Sequence, residues 1–389
     1  MLGIIGCKWV RHRWVRAILD ENGWVIGCPQ LRDQAEFMDD LLKTATISIT
    51  PAMLRTIAEI DEFKGAWAAL GRLAPERMEN LRRVAAIESI GSSTRIEGAK
   101  LSDREVDRLL SRIDITTFAN RDEQEIAGYA TAMETVFAHY DAIGLSENHI
   151  LQLHRDLLQH TEKDRRHRGA YKTSNNHVEA FGPDGQSLGV VFETATPFET
   201  PTQMKRLVDW TRNALEADEL HPLMMIGVFV VVFLAIDPFQ DGNGRLSRIL
   251  TTLLLLRANY PYVPYASLES VIEQSKKDYY RALRRTQSTL RSDAPDWQPW
   301  LDYFLGALRG QKRVLDEKIR REKILLESLP PLSLEILDIA RTQGRVTVGE
   351  AARITGTSRN TVKDHVKRLV EAGHLARHGA GRGTWYSLA

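Results

Sequence analysis

The amino-acid sequence predicts a mainly α-helical protein with one small β-hairpin and a separate winged helix at its C-terminal end. Three observations lead to this prediction. Apolar residues recur at three- and four-residue spacing in segments such as "MENLRRVAAIESI", which is the spacing of one helix face. The stretch 169–201 instead places β-prone runs on both sides of "GPDG", a pattern typical of a hairpin. The prolines of "LPPL" at 329–332 end the helical part, because proline interrupts a helix.

The composition favours a cytoplasmic protein. A chain of 389 residues allows two or three domains, and 52 basic against 51 acidic residues leave no whole-chain charge that demands nucleic acid or a membrane. Two cysteines, Cys7 and Cys28, are too few for a disulfide framework. The longest apolar run, at 223–236, is shorter than the ~20 residues of a membrane span, and the first residues lack a signal-peptide core. We therefore expect no membrane partner.

The individual elements follow in chain order. We expect residues 1–84 to be mostly helical, with a strand in "GWVIGCP", a helix in "LRDQAEFMDDLLKTATI" and a helical pattern from Pro51 onwards. "SENHILQLHRDLL" (146–158) is an amphipathic helix with a Ser cap signal. Helices resume after the hairpin, and the last of them becomes increasingly charged, as expected of a connecting helix at 311–328.

The segment "AIDPFQDGNGRLSRIL" at 235–250 indicates a phosphate site. It joins the apolar run to a second helix, whose first N–H groups have no intrahelical partner and lie at the positive end of the helix dipole. Gly242 and Gly244 permit close backbone approach. Arg245 and Arg248 share one helix face and suit phosphate oxygens, while Asp241 has the chemistry of a Mg²⁺ ligand. The alternative is an ordinary loop with surface arginines. The pattern is not a Walker A loop.

"DPFQDGNGRLSR" resembles the signature of the Fic (Fido) family, in which a His is followed by x-Phe-x-Asp/Glu-Gly-Asn-Gly-Arg-x-x-Arg. Every position matches except the first. "LQLHRDLL", "FETATP", "KKDYYRALRRTQ" and "WQPWLDYFLGAL" occur in the family's order, so the resemblance covers roughly residues 85–310, with a catalytic core at about 145–306. It implies a Fic-type helical core with a small β-hairpin flap. It also implies transfer of AMP from ATP, with Mg²⁺, to a Ser, Thr or Tyr hydroxyl of another protein.

The resemblance also implies roles for individual residues. Asp241 would hold the metal, and Arg245 and Arg248 would bind the triphosphate. The anion hole would be lined by Gly242, Asn243 and Gly244. Tyr279 and Tyr280 would contact the adenine end, with core packing as the alternative. The target protein would bind along the flap, between Val190 and Thr196, by adding a strand.

A second family element is "SSTRIEG" at 92–98, which matches an inhibitory pattern through Ser93, Glu97 and Gly98. The resemblance implies that Glu97 lies against Arg248. Such a pair would remove a cation that the triphosphate needs and would add a repelling charge, so the protein would inhibit itself. The alternative interpretation of Glu97 is a solvated carboxylate at a helix end.

Asp237 stands where the family has its catalytic His. A general base works best when its pKa lies near the operating pH, and an unperturbed Asp, with a pKa of about 3.9, is a poorer base at neutral pH than His, with about 6.5. Burial or neighbouring carboxylates raise a carboxyl pKa. Three interpretations stay open: a loop cap with weak or no transfer activity, a working acidic base, or a recent replacement of His. Two other functions follow from them, a catalytically inactive nucleotide-binding DNA regulator and a de-AMPylating enzyme in which Glu97 positions water.

The tail at 329–389 predicts a winged helix-turn-helix. "VGEAARITG" is a short helix, "TSRNTVKDHVKRLVEAG" a second one with a Ser cap, and "LARHGAGRGTWYSL" a two-stranded wing. We expect DNA to be contacted in the major groove by the start of the second helix and at phosphates by the wing. The candidate residues are Ser358, Arg359, Asn360, Thr361 and Lys363 on the helix, with Arg377 and Arg382 on the wing. The alternatives are a protein-interaction or dimerisation module, so a homodimer stays open.

Overall fold

The computed structural model describes residues 7–10, 13–16, 18–19, 25–27, 41–69, 75–112, 118, 120–181, 187–217, 219–327 and 329–388. Within these ranges α-helices account for most of the chain, and the strands form two-stranded antiparallel ladders. The mainly α prediction is therefore confirmed.

The N-terminal region contains strands as well as helices. Strand β1 (Cys7–Val10) pairs with β2 (Arg13–Arg16), and β3 (Ile18–Leu19) pairs with β4 (Val25–Gly27). The strand expected in "GWVIGCP" is β4. The helix expected over 31–47 is not seen in its described end, which is a turn and a short 3-10 helix (Thr44–Thr46); residues 28–40 lie outside the described part.

Eleven helices and one hairpin make up the main body of the described chain. The helices are α1 (Pro51–Ala69), α2 (Pro75–Ile96), α3 (Asp103–Leu110), α4 (Arg121–His139), α5 (Glu147–Leu157), α6 (Thr200–Ala217), α7 (Pro222–Ile236), α8 (Asn243–Arg257), α9 (Leu268–Gln274), α10 (Lys276–Gln287) and α11 (Gln298–Glu327). The expected Ser cap is present at α5, where the Ser146 side chain accepts from the His149 N–H.

Helix α7 is the apolar run, and it lies at the centre of the core. Every residue from 223 to 236 is buried, and the helix contacts α6, α8, α10 and α11. Trp300 on α11 donates its indole N–H to the carbonyl of Gly227 at 2.7 Å, which ties the two helices together. An apolar helix enclosed on all sides is what a globular core requires. Among the described residues, no helix is long and apolar enough to cross a bilayer.

The boundaries expected at 84/85 and 310/311 fall inside continuous helices. Helix α2 runs through the first boundary and α11 through the second. Met53, Ile57 and Ile60 of α1 are buried in the same apolar cluster as α7. The helices before residue 85 therefore form part of the main core.

The expected flap is a hairpin of β5 (His177–Phe181) and β6 (Ser187–Glu193). The strands are antiparallel, with His177 opposite Glu193 and Phe181 opposite Ser187. The turn "GPDG" falls within 182–186, outside the described residues.

The tail has its own apolar cluster and the predicted winged-helix elements. They are α12 (Pro331–Gln343), α13 (Val348–Thr355), α14 (Arg359–Glu371), β7 (Leu375–His378) and β8 (Trp385–Leu388). Val362, Val366 and Leu369 of α14 are buried in this cluster, as their helical spacing predicts. The wing is the antiparallel pair β7–β8, and a bridge between Val346 and Tyr386 extends it.

Candidate active site

The loop between α7 and α8 is shaped by two residues in the left-handed region. Asp237 closes α7 with φ 52°, and Gly242 precedes α8 with φ 84°. Because a Cβ is disfavoured at such a φ, the glycine suits the second position. Asn243 pins the loop from inside: its Oδ1 accepts from the Phe239 N–H at 2.9 Å and its Nδ2 donates to the Phe239 carbonyl at 2.7 Å. The Asn243 side chain thus holds the loop backbone in shape.

The side chain of His154 binds the backbone of the loop at Asp241. The Gly169 N–H donates to its Nδ1 at 3.0 Å, so the proton of the neutral ring lies on Nε2, which donates to the Asp241 carbonyl at 3.0 Å. The ring stacks on Phe239 with centroids 3.8 Å apart. Burial lowers the pKa of His154 to about 4. A neutral imidazole with both nitrogens engaged fixes the backbone at Asp241 and is not available as a base.

Two buried arginines lie on the first two turns of α8. Arg245 and Arg248 are 3% and 4% exposed, which is unusual for a charged side chain unless it is paired. Arg245 Nε and Arg248 Nη1 have no hydrogen-bond partner among the described residues. Buried donors without partners mark a place where an acceptor belongs. They lie beside the first turn of α8, whose N–H groups also attract anions.

A cavity of about 310 Å³ opens at this point. Its lining combines the loop with charged side chains from α4 and from the end of α2. The lining residues are Glu97, Arg121, Glu125, Asn176, Asp237, Gln240, Asp241, Gly242, Asn243, Gly244 and Arg245. The unpaired Nε of Arg245, the start of α8 and two glycines together fit the phosphate groups of a nucleotide.

The end of α2 contacts Arg248. The Glu97 carboxylate accepts from Arg248 Nη2 at 2.7 Å, and Ser93 accepts from the same guanidinium through Oγ at 2.8 Å and through its carbonyl at 3.0 Å. Gly98, with φ 108°, turns the chain directly after Glu97. The absent side chain of Gly244 leaves room for the carboxylate, since a Cβ there would lie 2.3 Å from Glu97 Oε1. Ser93, Glu97 and Arg248 therefore meet at the end of α2.

Asp241 is held by cations. Its Oδ2 accepts from Arg121 at 2.8 Å, and its Oδ1 accepts from Arg245 at 3.2 Å and from the Gly242 N–H at 2.6 Å. Glu125 lies between the two arginines, 2.7 Å from Arg121 and 2.9 Å from Arg245. No group of three or more His, Cys, Asp or Glu side chains in the described part of the chain forms a metal site. The Asp241 carboxylate is paired with Arg121 and Arg245 in this arrangement.

Asp237 lies half-buried at the edge of the same cavity. Its Oδ2 accepts from the Asn176 side-chain amide at 2.5 Å, so this bond does not come from the backbone N–H groups that a loop cap would use. Burial raises the pKa of Asp237 to about 7; the negative charges of Glu97 and Asp241 add to this, while Lys172 and the bond from Asn176 oppose it. The carboxylate therefore has a proton affinity close to that of an ordinary His.

Comparisons with known proteins identify the domain that carries this loop. The family model for the Fic/DOC family matches residues 144–255. The chain contains a Fic/DOC domain. A model for winged helix-turn-helix DNA-binding domains matches residues 329–373, in agreement with the fold of the tail.

Similarity over more than half of the chain agrees with the Fic/DOC domain. A Fic family protein from Desulfovibrio desulfuricans has a similar structure, with 25% identity, a TM-score of 0.60, and coverage of 88% of this chain and 98% of that one. A Fic domain containing signaling protein from Bacteroides thetaiotaomicron gives 25% identity and a TM-score of 0.54 over 66% and 94%. In sequence, the protein adenylyltransferase Fic of Drosophila willistoni is 27% identical over 59% of this chain. The match covers 42% of that relative, less than half its length.

The two tyrosines predicted for the adenine end do not line the loop cavity, but the charges of Glu97 and Arg248 act on both of them. Tyr279 is 4% exposed and packs edge-on against Trp300 with ring centroids 5.7 Å apart, which agrees with the core-packing alternative. Tyr280 is half-buried and lines a separate, basic cavity on α10.

The residues predicted for the flap and for DNA occupy two separate surfaces. Val190 lies in β6 and Thr196 follows it, where its N–H and hydroxyl donate to Glu199. On α14 the predicted DNA contacts are exposed, and Ser358 also caps the helix by accepting from the Thr361 N–H. Arg377 is exposed on β7, and Arg382 lies between the wing strands.

Sequence reasoning missed several residues that shape the site of the Fic domain. They are Arg121, Glu125, His154, Lys172 and Asn176. One local signal existed: Arg121 and Glu125 are four apart on α4 and pair on one face. Lys172 and Asn176 lie in a loop, where no periodic pattern indicates which side chains turn inward.

Proposed function

We propose that this protein is a Fic-type protein adenylyltransferase, which transfers AMP from ATP to a hydroxyl group of another protein. The observation that supports this most strongly is the pair of orphaned guanidinium nitrogens on Arg245 and Arg248 at the start of α8, beside a carboxylate with a raised pKa. A relative of this chain is the protein adenylyltransferase Fic of Drosophila willistoni, and a triphosphate supplies acceptors for the unpaired nitrogen of each arginine.

In the proposed reaction, the oxygen of the target hydroxyl attacks the α-phosphorus of ATP. A new oxygen–phosphorus bond forms, the bond to the bridging oxygen breaks, and pyrophosphate leaves. Asp237 accepts the hydroxyl proton, for which a pKa near 7 is well suited because a base works best near the operating pH. Arg245, Arg248 and the first N–H groups of α8 stabilise the charge on the phosphate oxygens.

Asp241 fits the role of the Mg²⁺ ligand. A single carboxylate shared with substrate phosphates is a common protein contribution to a Mg²⁺ site. When bound, the cation neutralises phosphate charge. Asp241 must first be released from Arg121, which holds its Oδ2 at 2.8 Å.

Glu97 inhibits the enzyme in the arrangement described above. Its carboxylate occupies Arg248 Nη2 and adds negative charge at the place proposed for the triphosphate. Removing this side chain should return Arg248 to the nucleotide, although its bonds to Ser93 remain.

The test is incorporation of label from ATP. Three proteins are compared: the native protein, Glu97→Ala and Glu134→Ala. Each is incubated with Mg²⁺, bacterial lysate and ATP labelled on the α-phosphorus and, in a parallel reaction, with ATP labelled on the γ-phosphorus. Glu134 is an exposed glutamate on α4 and serves as the matched control. We expect Glu97→Ala to label protein from α-labelled ATP only, at least about tenfold above the native and control proteins. Absence of α-label in all three would refute the proposal, and γ-label would indicate phosphate transfer instead.

A second function, DNA binding, is favoured by the tail. Arg359, Asn360 and Lys363 are exposed on the first turns of α14, where a winged helix meets the major groove. In this proposal the protein is a DNA-binding transferase or, if transfer fails, a nucleotide-responsive DNA regulator. The target protein bound along the flap, the homodimer and the cytoplasmic location stay predictions.

A further inference from the structure

Asp237 adopts a backbone conformation that needs support. Among the described residues, only Asp237 and Asn259 combine a side chain with a positive φ, and the left-handed region is disfavoured for a residue with a Cβ, although less so for Asp and Asn. The neighbouring carbonyls of Ile236, Pro238 and Phe239 must also be satisfied where α7 ends. The side chains that bind these groups therefore determine where the carboxylate lies.

Lys172 binds the chain on both sides of Asp237. Its ammonium donates to the carbonyl of Ile236 at 3.0 Å, and its backbone N–H donates to the carbonyl of Pro238 at 2.9 Å. Lys172 is 3% exposed, and its ammonium has two further acceptors, Asn176 Oδ1 at 2.6 Å and Thr194 Oγ1 at 3.0 Å. Three acceptors match the three ammonium hydrogens. Burying a lysine ammonium without a carboxylate within hydrogen-bond distance lowers the stability of the fold. We therefore ask which structural role Lys172 has at this position.

The side chain of Asn176 connects the Lys172 ammonium to the Asp237 carboxylate. With Oδ1 facing the ammonium, its Nδ2 faces the loop and donates to Asp237 Oδ2 at 2.5 Å and to the Phe239 carbonyl at 2.9 Å. The ammonium fixes which end of the amide is which, since an ammonium has no acceptor for Nδ2. The carboxylate is thereby held in one orientation.

The same residues form the base of the flap. Asn176 directly precedes β5 and Thr194 directly follows β6. The Thr194 hydroxyl donates to the Asn176 carbonyl at 2.5 Å and accepts from Lys172. The two ends of the hairpin and the loop that carries Asp237 therefore share one buried ammonium.

We propose that Lys172 and Asn176 are positioning residues, which hold Asp237 in its left-handed conformation, aim its carboxylate and link it to the base of the flap. The structural part of this proposal stands by itself, whereas the role in transfer rests on the proposed adenylyltransferase function. Neither residue contacts the reacting atoms. A target strand added to the flap would act on the base through this link.

The test compares Lys172→Met and Asn176→Ala with Lys205→Met, all in the Glu97→Ala background. Lys205 is an exposed lysine on α6 that pairs with Asp209, so it serves as the control. The first readout is hydrogen exchange of the amides at 233–243, which requires no activity. We expect exchange there to be at least about tenfold faster in the two loop variants and unchanged in the control. Unchanged exchange in both would overturn the proposal.

The second readout is the rate of labelling at saturating ATP across pH. We expect a fall of about tenfold or more at neutral pH with unaltered ATP binding, since a misplaced base costs up to ~10². The rising part of the pH–rate profile should move to higher pH, because Lys172 and the hydrogen bond from Asn176 both lower the pKa of Asp237 and the variants lose one or both of these effects. The charge of Glu97, which raises this pKa, is absent from every variant alike because all of them carry Glu97→Ala.

Several outcomes separate the two proposals. Faster exchange with an unshifted pH profile and unchanged rate would overturn the positioning role. If the Glu97→Ala parent labels nothing, the adenylyltransferase proposal fails and the exchange data alone decide whether the residues hold the loop. If Lys172→Met does not fold, Asn176→Ala gives the same comparison, because it leaves the ammonium with two of its acceptors.

Discussion

Asp237 differs from a surface aspartate through its surroundings. Its pKa is raised to about 7, first by burial and then by the charges of Glu97 and Asp241. Of the three interpretations that the sequence allows, the acidic base gains most from this environment. The carboxylate is bonded to Asn176 and faces a cavity that also contains Arg245, which is where a base for an incoming hydroxyl would be required.

The first prediction at this scale concerns pH. In the Glu97→Ala protein, labelling should rise with pH and reach half its maximum below pH 7, because only the ionised carboxylate accepts a proton and the variant lacks the Glu97 charge that helps to raise the pKa of Asp237 to about 7. Initial rates at saturating ATP between pH 5 and 9 measure this. A flat profile below pH 7 would show that no group titrating like Asp237 takes part.

The second prediction concerns stability. A carboxyl whose pKa is higher in the folded than in the unfolded protein stabilises the fold when protonated, and this stability is lost as pH rises from about 4 through about 7. Asn at 237 cannot ionise and tolerates positive φ. Asp237→Asn should therefore raise the melting temperature more at pH 8 than at pH 5, by about 2 °C or more. An equal change at both pH values would mean that Asp237 is not perturbed.

At the scale of elements, the site is assembled from three helix ends. The end of α2 brings Glu97 to Arg248, the start of α4 brings Arg121 to Asp241, and the start of α8 brings both arginines of the loop motif. Four ion pairs therefore involve residues proposed for ATP and Mg²⁺: Glu97–Arg248, Arg121–Asp241, Arg245–Glu125 and Arg245–Asp241. In the pair Arg121–Asp241, the arginine would compete with Mg²⁺ for the Asp241 carboxylate.

The corresponding prediction concerns Arg121. In the Glu97→Ala background, Arg121→Ala should lower the Mg²⁺ concentration that supports half-maximal labelling by a few fold, because it removes a cation that competes for the Asp241 carboxylate. A magnesium titration at fixed ATP measures the effect. Arg83→Ala is the control, since this exposed arginine also pairs with an aspartate, Asp107, on another face. A higher magnesium requirement would contradict this competition and assign Arg121 to the active arrangement.

The sequence predicts those structural features that depend on residues close together in the chain. The cap of α5, the enclosed helix α7, the glycine loop and the buried face of α14 all follow from spacings within a helical turn or two. The contacts of Lys172 and Asn176 with the loop span more than sixty residues. They depend on how the loop before the hairpin meets the end of α7, so no local pattern carries them. The pKa of Asp237 is likewise set by tertiary burial.

At the scale of the whole molecule, the chain combines a Fic/DOC domain with a winged helix. If the tail binds DNA, its affinity should fall with salt, because phosphate contacts release counterions. We expect Arg377→Ala, on the wing, to weaken binding of a mixed-sequence duplex and to reduce the salt slope by about one for the phosphate contact that is lost. Fluorescence anisotropy from 50 to 200 mM salt measures this. Arg341→Ala, on α12, is the control; equal losses in both proteins, or no binding, would favour a protein-interaction module.

The central claim is that Asp237 acts as the base of an adenylyltransferase that Glu97 inhibits. The most direct measurement compares the initial rate of α-label transfer at pH 7.5 by Glu97→Ala with that by Glu97→Ala/Asp237→Asn. Asn preserves the size and an acceptor for Asn176 but cannot take a proton. We predict a fall of about 10²-fold or more in the double variant, with unaltered ATP binding by calorimetry. Equal transfer rates in the two proteins would contradict the account.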